Sequence, residues 1–402
     1  MTLHDVALPG PSDPWVGSDM PSPRDGPPFH MTEMIEAEPA LASRLLGRLA
    51  EPDGPAAKLA MAIRATAEQG QPILVTGCGT SEHGALGTVE ILREAMRTAG
   101  LPWRLGQAGA PMAVQAFEGS LEDWLGGDGG LVIGVSHEGG TWATNVALEK
   151  ARASGSTIAI ITVSGRSPGA LASDIVVSTD EQDQSWCHTV GYLSPLLAAT
   201  AVAGHLAGEP VHPDAARNLL AAGLELPAVR ETERLAEALA GIERLIVVAS
   251  GVDRPAGREL VLKVEEGAHL PAAYRDLETL LHGHLAGIDG ATGLVLILTD
   301  ALRAEDRARR ATGVLRAVAE LGVTAGAILA TDHAERVPAA LTPAGHLVVP
   351  PAPDLPPVIA SVLGTAVPLQ LLTERLARAR GVDPDPIRRD DPAYLRAAEA
   401  AG

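Results

Sequence analysis

The chain has 402 residues, 46% of them hydrophobic and only 2% aromatic, so its length suits about two to three domains with cores of Ala, Leu, Val and Ile. A net charge of −19 excludes a nucleic-acid-binding or anionic-membrane-binding surface, since both need clustered Lys and Arg. The two cysteines, Cys78 and Cys187, lack paired spacings, which excludes a disulfide framework and fits a reducing cytoplasm.

Residues 1–28 carry seven Pro and few large apolar residues, so a disordered tail is expected, without a secretory leader. Met31–Leu49 reads as a helix with Ile35, Leu41, Leu45 and Leu46 on one side, and Pro39 is expected to break or restart it. Pro52–Pro55 is a loop and Lys58–Glu68 a helix. The strand Ile73–Thr76 then turns through Gly77-Cys78-Gly79-Thr80-Ser81 into a helix over Glu82–Thr98. Trp103–Gln107 reads as a short strand and Ala113–Phe117 as a short helix. A buried strand, Leu131–Ser136, runs through Gly139-Gly140 into a helix over 141–154. Strands Thr157–Val163 and Asp174–Ser178 follow, and the apolar helix 189–207 closes this half.

A helical linker, Asp214–Ala240, leads into a second round. Its strands are Arg244–Ala249, Leu294–Thr299, Thr324–Ala330 and Leu347–Val349. Its helices are Pro255–His269, 277–282, 302–321 and 358–380, and 271–276 is a loop or short strand. The stretches Thr189–Gly208 and Leu355–Thr373 lack Asp, Glu, Lys and Arg, but Pro interrupts both, so core helices rather than membrane spans are expected. Strand and helix alternate at the spacing of βαβ units, which implies an α/β fold with parallel sheets covered on both faces. In such sheets ligands bind beyond the carboxyl ends of the strands. A glycine turn opening a helix there offers backbone N–H groups and the positive end of a helix dipole to an anion.

Gly77-Cys78-Gly79-Thr80-Ser81 followed by Ser136-His137-Glu138-Gly139-Gly140-Thr141 resembles the sugar isomerase (SIS) domain. The resemblance extends over about 31–391, to proteins built from two tandem SIS domains like the isomerase part of glucosamine-6-phosphate synthases. Leu262-Lys263-Val264-Glu265-Glu266 is similar to the family's catalytic helix, with Tyr274 and His282-Gly283 near the family spacing. Asp383-Pro384-Asp385-Pro386 resembles the start of the tail that crosses the active site.

The resemblance implies two three-layer αβα SIS domains, 29–212 and 213–382, with a C-terminal tail, 383–402, over the site. It implies a phosphosugar aldose–ketose isomerase or deaminase, acting by acid/base proton transfer on a sugar phosphate, with an amino sugar preferred. It implies no glutaminase domain, no cofactor and no metal. The partner is a small-molecule sugar phosphate, with a cytoplasmic homodimer as the assembly. Glu266 matches the proton-shuttling Glu, His282 the ring-opening His, and Lys263, at i and i+3 from Glu266, supplies a supporting cation. Cys78, Gly79, Thr80, Ser81, Ser136, His137, Glu138, Thr141 and Thr189 match the substrate-binding segments. A solvated helix face is the ordinary reading of Glu265, a satisfied structural His that of His284, and a buried small residue that of Cys187. A metal site joining His282 and His284 to His83, His137 or His188 is a lesser alternative.

Three departures shape the expectation. Glu138 stands where the family usually offers a Ser hydroxyl to phosphate. A carboxylate about 4 Å from a phosphate charge costs on the order of 4 kcal/mol at an effective dielectric near 20. That exceeds one helix-dipole contribution of about 0.3–1 kcal/mol, so Glu138 points away or reads a hydroxyl or amine. In the segment Ser185–Tyr192, Val190 replaces a family Lys, and the tail reads Arg388-Arg389-Asp390-Asp391 where the synthases carry a Schiff-base Lys. Arg388 and Arg389 are therefore candidates to restore positive charge over the pocket, against the plain reading of a solvated tail. A non-catalytic sugar-phosphate sensor and an amino-sugar lyase using Glu138 stand as alternatives.

Overall fold

The computed structural model describes residues 24–102, 109–122 and 129–401. The expected strand Trp103–Gln107 lies outside them, as do residues 1–23 of the expected disordered tail. The first half runs α1 (His30–Leu49), α2 (Pro55–Glu68), β1 (Ile73–Gly77), α3 (Thr80–Thr98), β2 (Pro111–Gln115), α4 (Ala116–Leu121), β3 (Leu131–Val135) and α5 (Trp142–Ala153). It continues through β4 (Thr157–Thr162), α6 (Pro168–Leu171), β5 (Ile175–Ser178) and α7 (Val190–Ala207). Two helices, α8 (Pro213–Ala222) and α9 (Leu226–Leu239), lead to β6 (Arg244–Ala249), α10 (Arg254–Ala268), β7 (Ala272–Asp276), β8 (Thr292–Leu298) and α11 (Ala304–Ala319). The chain ends with β9 (Thr324–Ala330), α12 (Thr331–Ala334), β10 (Gly345–Val349), α13 (Pro357–Gly364), α14 (Ala366–Ala379) and α15 (Pro392–Ala401).

The strands form two five-stranded parallel sheets, β2-β1-β3-β4-β5 and β10-β9-β8-β6-β7. Numbered within each half, both have the order 2-1-3-4-5, so the fold is two copies of one doubly wound α/β unit. Alternation sorts the strands' side chains. Ile73, Val75, Ile133 and Val135 enter one large core, and Leu74 and Val132 pack against α5 on the outer face. In the second sheet Val295 and Ile297 join the same large core, while Leu294, Leu296 and Leu298 pack under α11. The inner faces of both sheets thus share a core that also takes in α1, α3, α7, α10 and α14. The two apolar stretches long enough to cross a membrane belong to this packing, 89% and 83% buried.

Several elements differ from the sequence expectation. Pro39 does not break α1, because Met34, Ile35, Leu41, Leu45 and Leu46 around it are buried. Burying each contributes about 1.5–3 kcal/mol, more in sum than the roughly 3 kcal/mol cost of an internal proline. Of the expected helix Ala113–Phe117, residues 113–115 lie in the edge strand β2 and only 116–117 are helical, at the start of α4; the first residue of β2 is Pro111, where no ladder N–H is needed. The linker divides at Gly223, the cap of α8, with Pro227 near the start of α9, and 358–380 divides at Thr365. The charged tail contains the helix α15.

Candidate functional site

The site is built where α3 of the first unit meets α10 of the second. β1 ends in a turn that only glycine fits: a Cβ on Gly77 would lie 2.5 Å from the Ser81 carbonyl oxygen. Two residues on, Gly79 has φ +57° and caps α3, a conformation that costs glycine little. The β3–α5 turn is held from inside. The buried Ser136 hydroxyl accepts the Gly139 N–H at 3.1 Å and donates to the Thr141 hydroxyl at 3.4 Å. Gly139, with φ +67°, would place a Cβ 2.1 Å from Ser167 Oγ. Glu138 lies half-buried between these anchored neighbours.

Beneath the turn, His137 is buried, and its Nε2 accepts the Asp183 N–H at 2.9 Å. Desolvation lowers it to about 4, so the ring is neutral, with His188 tilted against it at 5.1 Å. His137 therefore props the turn from below, with its Nε2 spent on the Asp183 N–H. Asp183, with no local sequence signal, accepts the N–H groups of Ser185 (3.3 Å), Thr189 (2.7 Å) and Gly191 (2.9 Å) at the start of α7. Burial raises it to about 6 against those bonds and against Lys263. Thr189 is buried in this cap, and its N–H is spent on Asp183.

Glu259, Lys263 and Glu266 follow at i, i+4 and i+7 on α10, so they share one helix face. Close approach is allowed by Gly267, whose Cβ would lie 3.1 Å from Cys187 Sγ. Lys263 is fully buried, with Nζ 2.5 Å from Glu266 Oε2 and 3.7 Å from Glu259 Oε1. Burial alone would lower this ammonium, but Glu266 and Glu259 outweigh it and hold it above its ordinary range. Burial raises Glu266 in turn, against the pull of Lys263. Glu259, also fully buried, reaches across to the first unit: Thr80 Oγ1 donates to it at 3.3 Å and His83 Nδ1 lies 2.7 Å away. A buried triad missing one charge would be costly, so the three carry each other's desolvation. Cys187 lies beneath, its Sγ 3.8 Å from the Lys263 carbonyl, and burial pushes both its thiol and that of Cys78 up. Neither thiol is primed as a nucleophile.

The tail returns to the same place. Asp385 accepts the His30 N–H at 2.8 Å and the Met31 N–H at 2.9 Å, capping α1, while its carbonyl accepts Trp186 N–H at 3.0 Å. Arg389 lies 3.5 Å from the Trp186 ring centroid. Desolvation lowers its guanidinium against the opposing charges of Glu138 and Glu266. Arg388, at φ +61°, turns the other way, onto the Tyr394 hydroxyl and over its ring at 4.8 Å. The tail thus brings Arg389 to the site and leaves Arg388 outside it.

Lys263, Glu266, Thr80, Glu138 and Arg389 therefore lie together, with Cys78, Gly79, Ser81 and Thr141 in the adjoining turns. His282 does not join them: its side chain is 69% exposed, with Nε2 2.9 Å from Glu278, which also pairs with Arg310. Glu259 and His83 enter the cluster as partners that the sequence reading did not assign to the chemistry. Among the described residues, no group of three or more His, Cys, Asp or Glu side chains is arranged to hold a metal ion.

No family model matches the chain. It is 26% identical over 388 residues to the glutamine–fructose-6-phosphate aminotransferase (isomerizing) of Gloeobacter violaceus, covering 89% of this chain but only 57% of that protein's length. The fold matches the C-terminal domain of glucosamine-fructose-6-phosphate aminotransferase from Francisella tularensis, with a TM-score of 0.74 and 20% identity over 90% of this chain and 99% of that one. It also matches the tagatose-6-phosphate ketose/aldose isomerase of Escherichia coli, with a TM-score of 0.69 and 17% identity over 91% and 97%.

Proposed function

We propose that this chain, a tandem pair of sugar isomerase (SIS) domains homologous to the isomerase part of the glutamine–fructose-6-phosphate aminotransferases, interconverts or deaminates an amino-sugar phosphate by acid/base chemistry. The observation that carries the reading is the Lys263–Glu266 pair, buried on α10 against the glycine turns of the first unit. Glu266 takes the C2 proton of the open-chain aldose, the C1–C2 enediol or enolamine forms as the carbonyl oxygen gains a proton, and the carbon-bound proton returns at C1. With an amine on C2, the resulting imine adds water and releases ammonia. Lys263 is held protonated by two carboxylates, which supports its work as a cation beside Glu266 rather than as a Schiff-base amine. Arg389 supplies the positive charge that faces Glu138 and the substrate. A cytoplasmic homodimer belongs to the same reading.

Incubation with glucosamine 6-phosphate, scored for ammonia, ketose and solvent deuterium at carbon, tests it. Full activity in Glu266→Gln rejects the assigned base. The sensor reading is favoured by one observation, the exposed His282 paired with Glu278. Thermal stabilisation by sugar phosphates with no turnover would establish the sensor instead.

A further inference from the structure

A site that takes a phosphate needs a fixed positive group with hydrogen-bond donors left over. The β3–α5 turn offers a carboxylate, Glu138, and its Ser136 hydroxyl is committed to Gly139 and Thr141. Lys263 is committed as well, to Glu266 at 2.5 Å and Glu259 at 3.7 Å. Arg389 is placed differently. Its guanidinium lies 3.5 Å from the centre of the Trp186 ring, the distance of a flat stack. An arene covers the face of a guanidinium and leaves its edge, where all five N–H groups point, uncovered. Among the described residues, no hydrogen bond or ion pair from the chain takes up those N–H groups. The residue is otherwise exposed, so the edge is open to a ligand. Glu138 of the first unit and Glu266 of the second both act on its charge, which puts the guanidinium where the two units meet.

Trp186 is itself immobilised. On one side of it the Ser185 N–H donates to Asp183 at 3.3 Å, and on the other the Cys187 N–H donates to Ser185 Oγ at 3.1 Å. Cys187 Sγ lies 3.8 Å from the Lys263 carbonyl, which ties this segment to α10. The Trp186 N–H donates to the Asp385 carbonyl at 3.0 Å, and the Arg389 N–H closes the tail turn onto the Pro386 carbonyl at 2.8 Å. Trp186 thus holds the tail twice, by its backbone at Asp385 and by its ring at Arg389.

We propose that Trp186 is the positioning residue of an anion clamp, in which Arg389, held flat against the indole, takes the phosphate of the substrate through two parallel N–H···O bonds. The proposal rests on the sugar-phosphate reading above. It names the ligand's anion as a phosphate monoester, whose oxygens match the spacing of the guanidinium fork. It also moves the anchor of that anion from the β3–α5 turn, where Glu138 stands, to the tail. A lysine at 389 would not serve, since an ammonium is a point charge without a flat face or a fork.

The test uses the full chain and calorimetric titration with glucosamine 6-phosphate, and thermal unfolding checks each variant. Arg389→Met is expected to raise Kd by about 30-fold and Arg389→Lys by about tenfold, because lysine keeps the charge but loses the stack and the fork. Trp186→Leu is expected to raise Kd by about tenfold alone and by less than about twofold beside Arg389→Met, the pattern of a residue acting through another. Trp186→Tyr, which keeps a ring to stack on, is expected to stay within about threefold of wild type. Trp186→Met takes the place of Trp186→Leu if that variant unfolds. Wild-type affinity in Arg389→Lys overturns the bidentate clamp. A Trp186→Leu loss of equal size with and without Arg389 overturns the positioning role. Both outcomes leave the sugar-phosphate reading in place. A wild-type chain that binds no glucosamine 6-phosphate overturns that reading itself, and this proposal with it.

Discussion

At the end of β1, Gly79 turns the chain into α3 with φ +57°, and at the end of β6, Gly251 turns it toward α10 with φ +62°. Each glycine stands two residues past its strand. The ladders carry the equivalence across the sheet: Thr76 faces Gly134 and Val248 faces Leu296, so Glu138 and Asp300 are counterparts. Their surroundings differ. Asp300 fills its own turn, accepting the Val252 N–H at 3.2 Å and the Leu302 N–H at 2.8 Å and pairing with Arg307 at 2.9 Å. Counting from the glycines, Glu94 on α3 is the counterpart of Glu266 on α10, and Ile91 that of Lys263. Glu94 bonds the Val358 N–H at 3.1 Å, at the start of α13, beside a cavity of about 470 Å³ that Asp300 also lines. Both carboxylates of the second cleft are thus spent on the chain's own backbone N–H groups. The first cleft keeps a charged triad and an approaching guanidinium. Between the two clefts, the plainest difference on the helix face is a lysine, Lys263, in one and an isoleucine, Ile91, in the other.

The largest expected contrast is catalytic. Glu266→Gln should lower turnover of glucosamine 6-phosphate by about 10²–10⁴-fold, and Glu94→Gln should leave it within about threefold. Comparable losses in both would break the distinction between the clefts. Next is stability, read by denaturant unfolding. Asp253, the counterpart of Ser81, accepts Thr299 N–H at 2.7 Å and Asp300 N–H at 3.1 Å, and also takes the Thr299 hydroxyl. Asp253→Ala should cost about 2–4 kcal/mol through its stranded buried donors, and Ser81→Ala only about 0.5 kcal/mol.

A third contrast is in pH. Burial holds His137 down at about 4, and its counterpart is the non-titrating Thr299. Between pH 6.5 and 4 the unfolded chain binds a proton that the folded chain refuses, so stability falls as pH falls through that window. His137→Gln should remove on the order of 2–3 kcal/mol of that acid loss, measured as unfolding free energy against pH. Asp253 works with the opposite sign: burial raises it to about 6, so its contribution weakens as pH rises from about 4 to 6. The smallest expected effect is on binding. Glu138→Ser should lower KM for a phosphosugar by about tenfold, since it removes a like charge that Arg389 only partly offsets. An unchanged or raised KM would show Glu138 reading a hydroxyl or amine.

The parallel alternation, both glycine turns and the Lys263–Glu266 face were legible because each is local: a period, a turn residue, a helical spacing. Arg388 and Arg389 were legible only as a pair of tail arginines, with nothing in the sequence to separate them; the positive φ at Arg388 turns that residue away, while Arg389 stacks on Trp186. Glu259 was within reach, since Glu259, Lys263 and Glu266 repeat at helical spacing, but its burial depends on α3 of the other unit. Asp183 and the buried face of His137 carried no local signal, because each is defined by backbone N–H groups that only the fold assembles. Pro39 and β2 were misread for a related reason: tertiary burial overrode local preference.

Asp385 accepts the first amides of α1, so the chain's beginning and its tail are one mechanical piece. Drawing Asp385 away from the start of α1 would remove the acceptor of the His30 and Met31 amides, so hydrogen–deuterium exchange at these two positions reports the attachment of the tail without any label near the pocket.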